Sequence, residues 1–229
     1  MGGYLALGQA ALVAFAVVAY FIWPHVFGTH DAEQVLEGLQ RAPFAYVMKL
    51  DPIVLLGTVV QLPVFVALWA ALRRAAPTGA LFGLVLAGIS TAACLSTRPI
   101  VEIIALADLH AAASSAAQEA LYVAAAEGLL AQFHGVAWAV SVMCGGAAGL
   151  VFGLSMRRSE AFSSVSVWAT ALSGVGALLV PVPVVGIVSL FLLGTVVGMV
   201  ASISYGLDLI RARPASAAAD AQTVSSPRR

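Results

Sequence analysis

Apolar residues run through this chain in long blocks rather than in the alternation of a sheet or the one-sided stripe of a soluble helix, and arginines close the blocks. Arg73-Arg74, Arg157-Arg158 and Arg211/Arg213 each follow such a block, and basic residues are scarce between them. With about 20 residues as the length needed to cross a bilayer, the pattern predicts an all-α, polytopic transmembrane helix bundle of six spans. They cover about 4–27, 51–72, 79–97, 127–156, 164–180 and 184–210, joined by outer loops 28–50 and 98–126. Asp51-Pro52 opens the second span with a capping acid and a proline suited to a first helical turn. Pro181-Val182-Pro183 is read as the hairpin between the last two spans, and 214–229, rich in Ala, Ser and Pro, as a disordered cytoplasmic tail. The first block lacks a basic n-region and outruns a signal-peptide h-region of about 7 to 15 residues, so it is read as a span.

Charge gives the bundle a direction. With both termini in the cytoplasm, Arg73, Arg74, Arg157, Arg158, Arg211, Arg213, Arg228 and Arg229 lie inside, against Arg41, Lys49 and Arg98 outside. That bias follows the positive-inside rule. The acids divide the other way: Asp31, Glu33, Glu37, Asp51, Glu102, Asp108, Glu119 and Glu127 fall outside. A specialised surface is therefore expected on the outer side.

Composition agrees. The chain is 61% apolar and 10% charged, with mean hydropathy +0.99, far from the roughly 25% charged residues of soluble domains. Eleven basic and eleven acidic residues cancel, which leaves no electrostatic footprint for nucleic acid. Cys94 and Cys144 both lie in apolar blocks, where a thiol acts as a small hydrophobe.

The outer loops carry their own pattern. In the first, Asp31 and Gln34 form an N-terminal cap, and Val35, Leu36 and Leu39 recur at helical spacing against Glu33, Glu37 and Gln40. A short amphipathic helix ending before Pro43 fits, covering the ends of neighbouring helices or lying on the membrane surface. The second is too hydrophobic for a solvated loop, so a helix continuing past a kink at Pro99, a re-entrant helix or a surface helix is expected.

Small residues recur every four positions at Gly145/Gly149/Gly153, Gly194/Gly198/Ser202, Gly79/Gly83/Ala87 and Ala169/Ser173/Ala177. That spacing lets helix backbones approach closely in lipid, either within one bundle or against a membrane-protein partner or a second copy of the chain. Membrane lipids are the other expected partners.

Candidate chemistry is sparse. Arg98 and Glu102, four apart, share a face and pair if the helix survives Pro99. Glu127 and His134 share a face of the fourth span, and ionisable groups at membrane depth mark ligand or proton sites. The candidate ligand-binding residues are Arg98, Glu102, His110, Glu127 and His134. No catalytic residue is assigned: there is no Gly-x-Ser-x-Gly, no phosphate-cradling glycine loop and no paired-histidine zinc signature. No metal and no cofactor is expected.

Two stretches bear a family likeness. RAPFAYVMKLDPIVLLGTVVQLPVFVALWAALRR resembles the second-helix region of the bacterial domain-of-unknown-function 4386 family. FHGVAWAVSVMCGGAAGLVFGLSMRRSEAFSSVSVWATALSGVGALL resembles its later half, although the turn RRSEAFSSVSVW lacks the proline expected there. The resemblance covers about a third of the chain and implies a six-helix integral protein of a bacterial cytoplasmic (inner) membrane, with no catalytic residue to carry over. Three function classes follow: a protein binding or transporting a small molecule or lipid through an outward-facing polar site, a non-enzymatic accessory or scaffold subunit, and an intramembrane enzyme using His134 and nearby acids, which has the least support.

Overall fold

The computed structural model describes residues 1–22, 31–180 and 194–212, and every regular element among them is helical. In chain order these are α1 (Gly2–Ile22), α2 (Ala32–Arg41), α3 (Pro43–Lys49), α4 (Pro52–Leu72), α5 (Pro77–Ser96), α6 (Ile100–Ala111) and α7 (Ala116–Ala131). A 3-10 turn at Gln132–His134 leads into α8 (Val136–Met156), followed by α9 (Ser164–Leu179) and α10 (Gly194–Ala212). The expected hairpin at Pro181-Val182-Pro183, the start of the sixth span and the tail lie outside the described residues.

Among the described residues five stretches are long and apolar enough to cross a membrane: Gly2–Ala19, Pro52–Leu72, Pro77–Ala111, Ala116–Met156 and Gly194–Ala212. The protein is thus a membrane-embedded helical protein. α9, at 16 residues, is an apolar helix of about 24 Å at 1.5 Å per residue.

Two of those stretches are broken, the first where the sequence placed a span end and a kink and the second where it predicted continuity. Pro77–Ala111 would reach about 52 Å as one helix, well past a hydrocarbon core of about 30 Å. It divides at Thr97-Arg98-Pro99, because proline lacks the amide and its ring opposes a helical conformation at the residue before it. The span expected over 127–156 divides too. Glu127 belongs to α7, and α8 starts only at Val136, after Gly135 leaves helical geometry (φ −72°, ψ −171°). What remains is commensurate with a bilayer: α4 and α8 have 21 residues each and α5 has 20, so each reaches about 30 Å.

The chain forms two compact units. One comprises Met1–Ala11, Val60–Gly88 and Met143–Arg229; the other comprises Leu12–Val59 and Ile89–Val142. α1, α4, α5 and α8 contribute residues to both.

In the first unit helices meet across small residues. A Cβ added at Gly174 of α9 would stand 2.5 Å from the Gly146 carbonyl oxygen and the Leu150 nitrogen of α8, and one at Gly153 would stand 2.7 Å from the Ala171 nitrogen. Such spacings exist only because these positions lack a side chain. On α10, Gly206 faces Gly3 and Ala6 of α1, and Gly198 faces Ser173 of α9. Phe152 of α8 stacks on Phe65 of α4 with ring centroids 5.6 Å apart and fills the space above Gly83 of α5. Of the small-residue positions seen in the sequence, Gly79, Gly83, Gly149, Gly153 and Gly198 are therefore used in contacts within the chain. On α8 Gly146, Gly149 and Gly153 all face α9.

The second unit has a separate core. α2 buries Val35, Leu36 and Leu39 against Ile103 and Ala107 of α6 and Ala126 of α7, with Leu50 and Phe133 joining them. The amphipathic pattern of α2 thus has a protein partner. Asp31 caps it, accepting from the Gln34 amide at 3.0 Å. The Tyr46 ring of α3 covers Gly38. Gln40 donates to Asp108 at 3.0 Å, tying α2 to α6 on the surface.

Candidate functional site

Arg98 is the centre of the most constrained polar group in the second unit. Its side chain is 4% exposed and that of Asp51 is 1% exposed, and Arg98 Nε donates to Asp51 Oδ2 at 3.2 Å. Nη1 donates to Thr97 Oγ1 at 2.8 Å and to the Phe133 carbonyl at 3.3 Å. The guanidinium carbon lies 4.8 Å from the centroid of the Phe133 ring. A buried cation costs several kcal/mol unless paired and hydrogen-bonded, and this arrangement supplies a carboxylate, a hydroxyl, a carbonyl and an aromatic face.

Those partners come from three interruptions in helix. Asp51 immediately precedes α4, Thr97 and Arg98 lie in the break between α5 and α6, and Phe133 sits in the 3-10 turn between α7 and α8. Breaks leave backbone carbonyls without helical partners, and Arg98 collects one from a different break. Asp51 stands in left-handed backbone (φ 64°). Aspartate is among the few residues that tolerate that region, and its own carbonyl accepts the first α4 amide, from Leu55, at 3.3 Å.

The expected Arg98–Glu102 pair does not form. The helix stops at Pro99, so the two positions lose their common face; Glu102 is exposed and Arg98 pairs across 47 positions with Asp51. Glu127 is exposed on α7, and the non-helical turn separates it from His134. His110 is half-buried near the end of α6. His134 is exposed, and its ring meets Trp138 edge-on at 5.5 Å between centroids. Of the five candidates the structure brings Arg98 and His134 to one place, the turn at Gln132–His134; Glu102, His110 and Glu127 are distributed over α6 and α7. Among the described residues no group of three or more His, Cys, Asp or Glu gathers as metal ligands would.

Asp51 was assigned only a capping role by the sequence, and its pairing with Arg98 went unread. A second missed carboxylate is Asp208 of α10. It accepts from the Ser163 amide at 2.8 Å and from the hydroxyls of Ser163 (2.9 Å) and Ser166 (2.5 Å), so a buried acid neutralises the N-terminus of α9. The Ser163–Ser166 spacing before an apolar run was the available signal for that helix start.

Comparison with family models, with curated proteins and with solved structures gives no match.

Proposed function

We propose that the protein binds a small molecule or lipid, as a binding protein or transporter, at the polar end built around Arg98 and His134. The observation that supports this most is the convergence of three helix breaks on one buried guanidinium. Non-helical backbone is tolerated at membrane depth only where protein buries it or where it lines a cavity, and discontinuous helices are a recurrent way of building solute sites. His134 and Trp138 add an exposed imidazole and a half-buried indole beside that centre. In this reading the bundle has six spans, α9 included, lies in a bacterial cytoplasmic membrane with both termini inside, and turns the Arg98 end outward. The likeness to the 4386 family is part of the same proposal and contributes architecture only.

The accessory-subunit reading draws less support than the sequence alone gave it. Its main argument was the run of small-residue faces, and Gly83, Gly149, Gly153 and Gly198 of those faces meet neighbouring helices of the same chain.

The test is native mass spectrometry of the protein gently extracted from its own membrane, alongside His134→Ala. His134 is exposed, so its truncation leaves the fold in place. The expected result is a defined non-protein mass on the wild type that H134A loses. A stoichiometric second protein with no bound small molecule, or a bound mass indifferent to H134A, would sink the proposal.

A further inference from the structure

We propose that the cavity between the end of α8 and the start of α9 takes the phosphate-bearing headgroup of an anionic lipid. The cavity has a volume of about 270 Å³. That is room for roughly nine waters at about 30 Å³ each, enough for a phosphate and the glycerol carbons beside it. Its floor is apolar, made by Met156, Phe162 and Val167, which are at most 8% exposed. Its rim carries Arg157, with Ser159, Ser164 and Trp168 around it.

The rim chemistry suits an amphiphile with a negative head. The Arg157 guanidinium carbon stands 5.7 Å from the Trp168 ring centroid, a cation–π contact that keeps the charge at the cavity mouth. Trp168 is 54% exposed and the neighbouring Val165 58%, so the indole occupies the place of an interfacial aromatic, apolar body toward the acyl region and N–H toward the headgroups. Because α8 alone reaches about 31 Å, its last residue, Met156, and the arginines after it fall at headgroup level. The positive end of α9 contributes nothing to the anion, since Asp208 already occupies it. The exposed Glu160 in the same turn opposes an anion, so attraction rests on Arg157. Inorganic phosphate satisfies only the rim, whereas a lipid headgroup uses rim and floor together.

α4 provides an internal control. Arg73 lies 5.5 Å from the Trp69 ring, the same pair of side chains at the end of another span.

The experiment titrates the purified full chain in detergent with phosphatidylglycerol or phosphatidylcholine and counts retained lipid by native mass spectrometry. Phosphatidylglycerol is expected to bind in preference to phosphatidylcholine and to survive millimolar inorganic phosphate. Arg157→Gln is expected to weaken it about fivefold, the factor corresponding to one basic residue at a membrane surface, and Arg73→Gln to leave it unchanged. Should R157Q fail to fold, Trp168→Leu carries the same expectation of loss. Equal retention of both lipids, equal loss in R157Q and R73Q, or displacement by inorganic phosphate overturns the proposal.

Discussion

The two units of this protein solve the same problem by different means. In the first, built from parts of α1, α4, α5 and α8 with α9 and α10, backbones close in on one another, Gly174 against Gly146, Gly153 against Ala171 and Gly206 against Gly3, around a core that includes Val64, Leu68, Phe152 and Met156. In the second, four short helices of 7 to 16 residues are held by an ordinary amphipathic core and by a buried ion pair. Both units bury apolar side chains, and they differ in how closely their backbones approach. Lipid tails are as apolar as leucine, so spanning helices gain nothing from burying hydrophobic surface against one another and depend on close packing. A helix such as α2 is marginal alone in water and is stabilised by burying its apolar face.

The largest expected effect falls on the ion pair of the second unit. Asp51→Ala removes the carboxylate and leaves the Arg98 guanidinium buried without its charge partner, a loss of about 3–5 kcal/mol. The variant also places alanine at φ 64°, which adds to the cost. Unfolding of the purified protein by a denaturing detergent should show it directly. The double variant Asp51→Asn, Arg98→Met should recover much of the loss, because no buried charge remains. If D51A unfolds like the wild type, the pair does not hold the second unit together.

Gly174→Ala strikes the first unit by the opposite route, adding atoms rather than removing a charge. Its Cβ would meet the backbone of α8 at 2.5 Å, and backbone cannot rotate away as a side-chain tip can. Overpacking of this kind costs about 1–3 kcal/mol. Gly8→Ala on α1 is the paired control, since nothing lies within 4 Å of its Cβ position, and the gain in helix propensity should leave it neutral or slightly stabilised. Equal behaviour of G174A and G8A in the same unfolding assay would mean that the glycine contacts do not determine stability.

These two regions were not equally legible in the sequence. The spanning helices were readable because bilayer thickness sets their length and arginines mark their ends, and the ends of α4 at Leu72 and α8 at Met156 fall where the basic pairs begin. Close packing was readable in kind, since small residues every four positions announce it, and Gly149 and Gly153 of α8 make such contacts, but Gly146 and its partner Gly174 stand in no such repeat. The candidate site was read least well. Arg98 stood out as an expensive charge, yet its partner was sought four residues away because local spacing was the information at hand. Asp51 is 47 positions distant, and only the halt at Pro99 and the turn at Gly135 bring Asp51, Arg98 and Phe133 together. Such breaks are written in single residues, against an apolar background that otherwise reads as continuous helix.

The smallest effect comes from an ion pair of similar chemistry on the surface of the second unit. Arg41 Nη2 reaches Glu37 Oε2 at 2.8 Å, a shorter contact than that between Arg98 and Asp51. Distance alone would rank it the stronger. Its side chains are 75% and 40% exposed, so water screens the attraction and solvates either partner when the other is lost. An i, i+4 pair of this kind contributes about 0.3–0.5 kcal/mol, and Arg41→Ala should lie within that margin of the wild type while losing what little effect it has at high salt. D51A should keep its deficit at high salt, because a pair 1–4% exposed is not reached by mobile ions. The two variants measured at low and high ionic strength therefore separate burial from distance as the source of strength. An R41A deficit as large as that of D51A would show that the second unit relies on its surface charges.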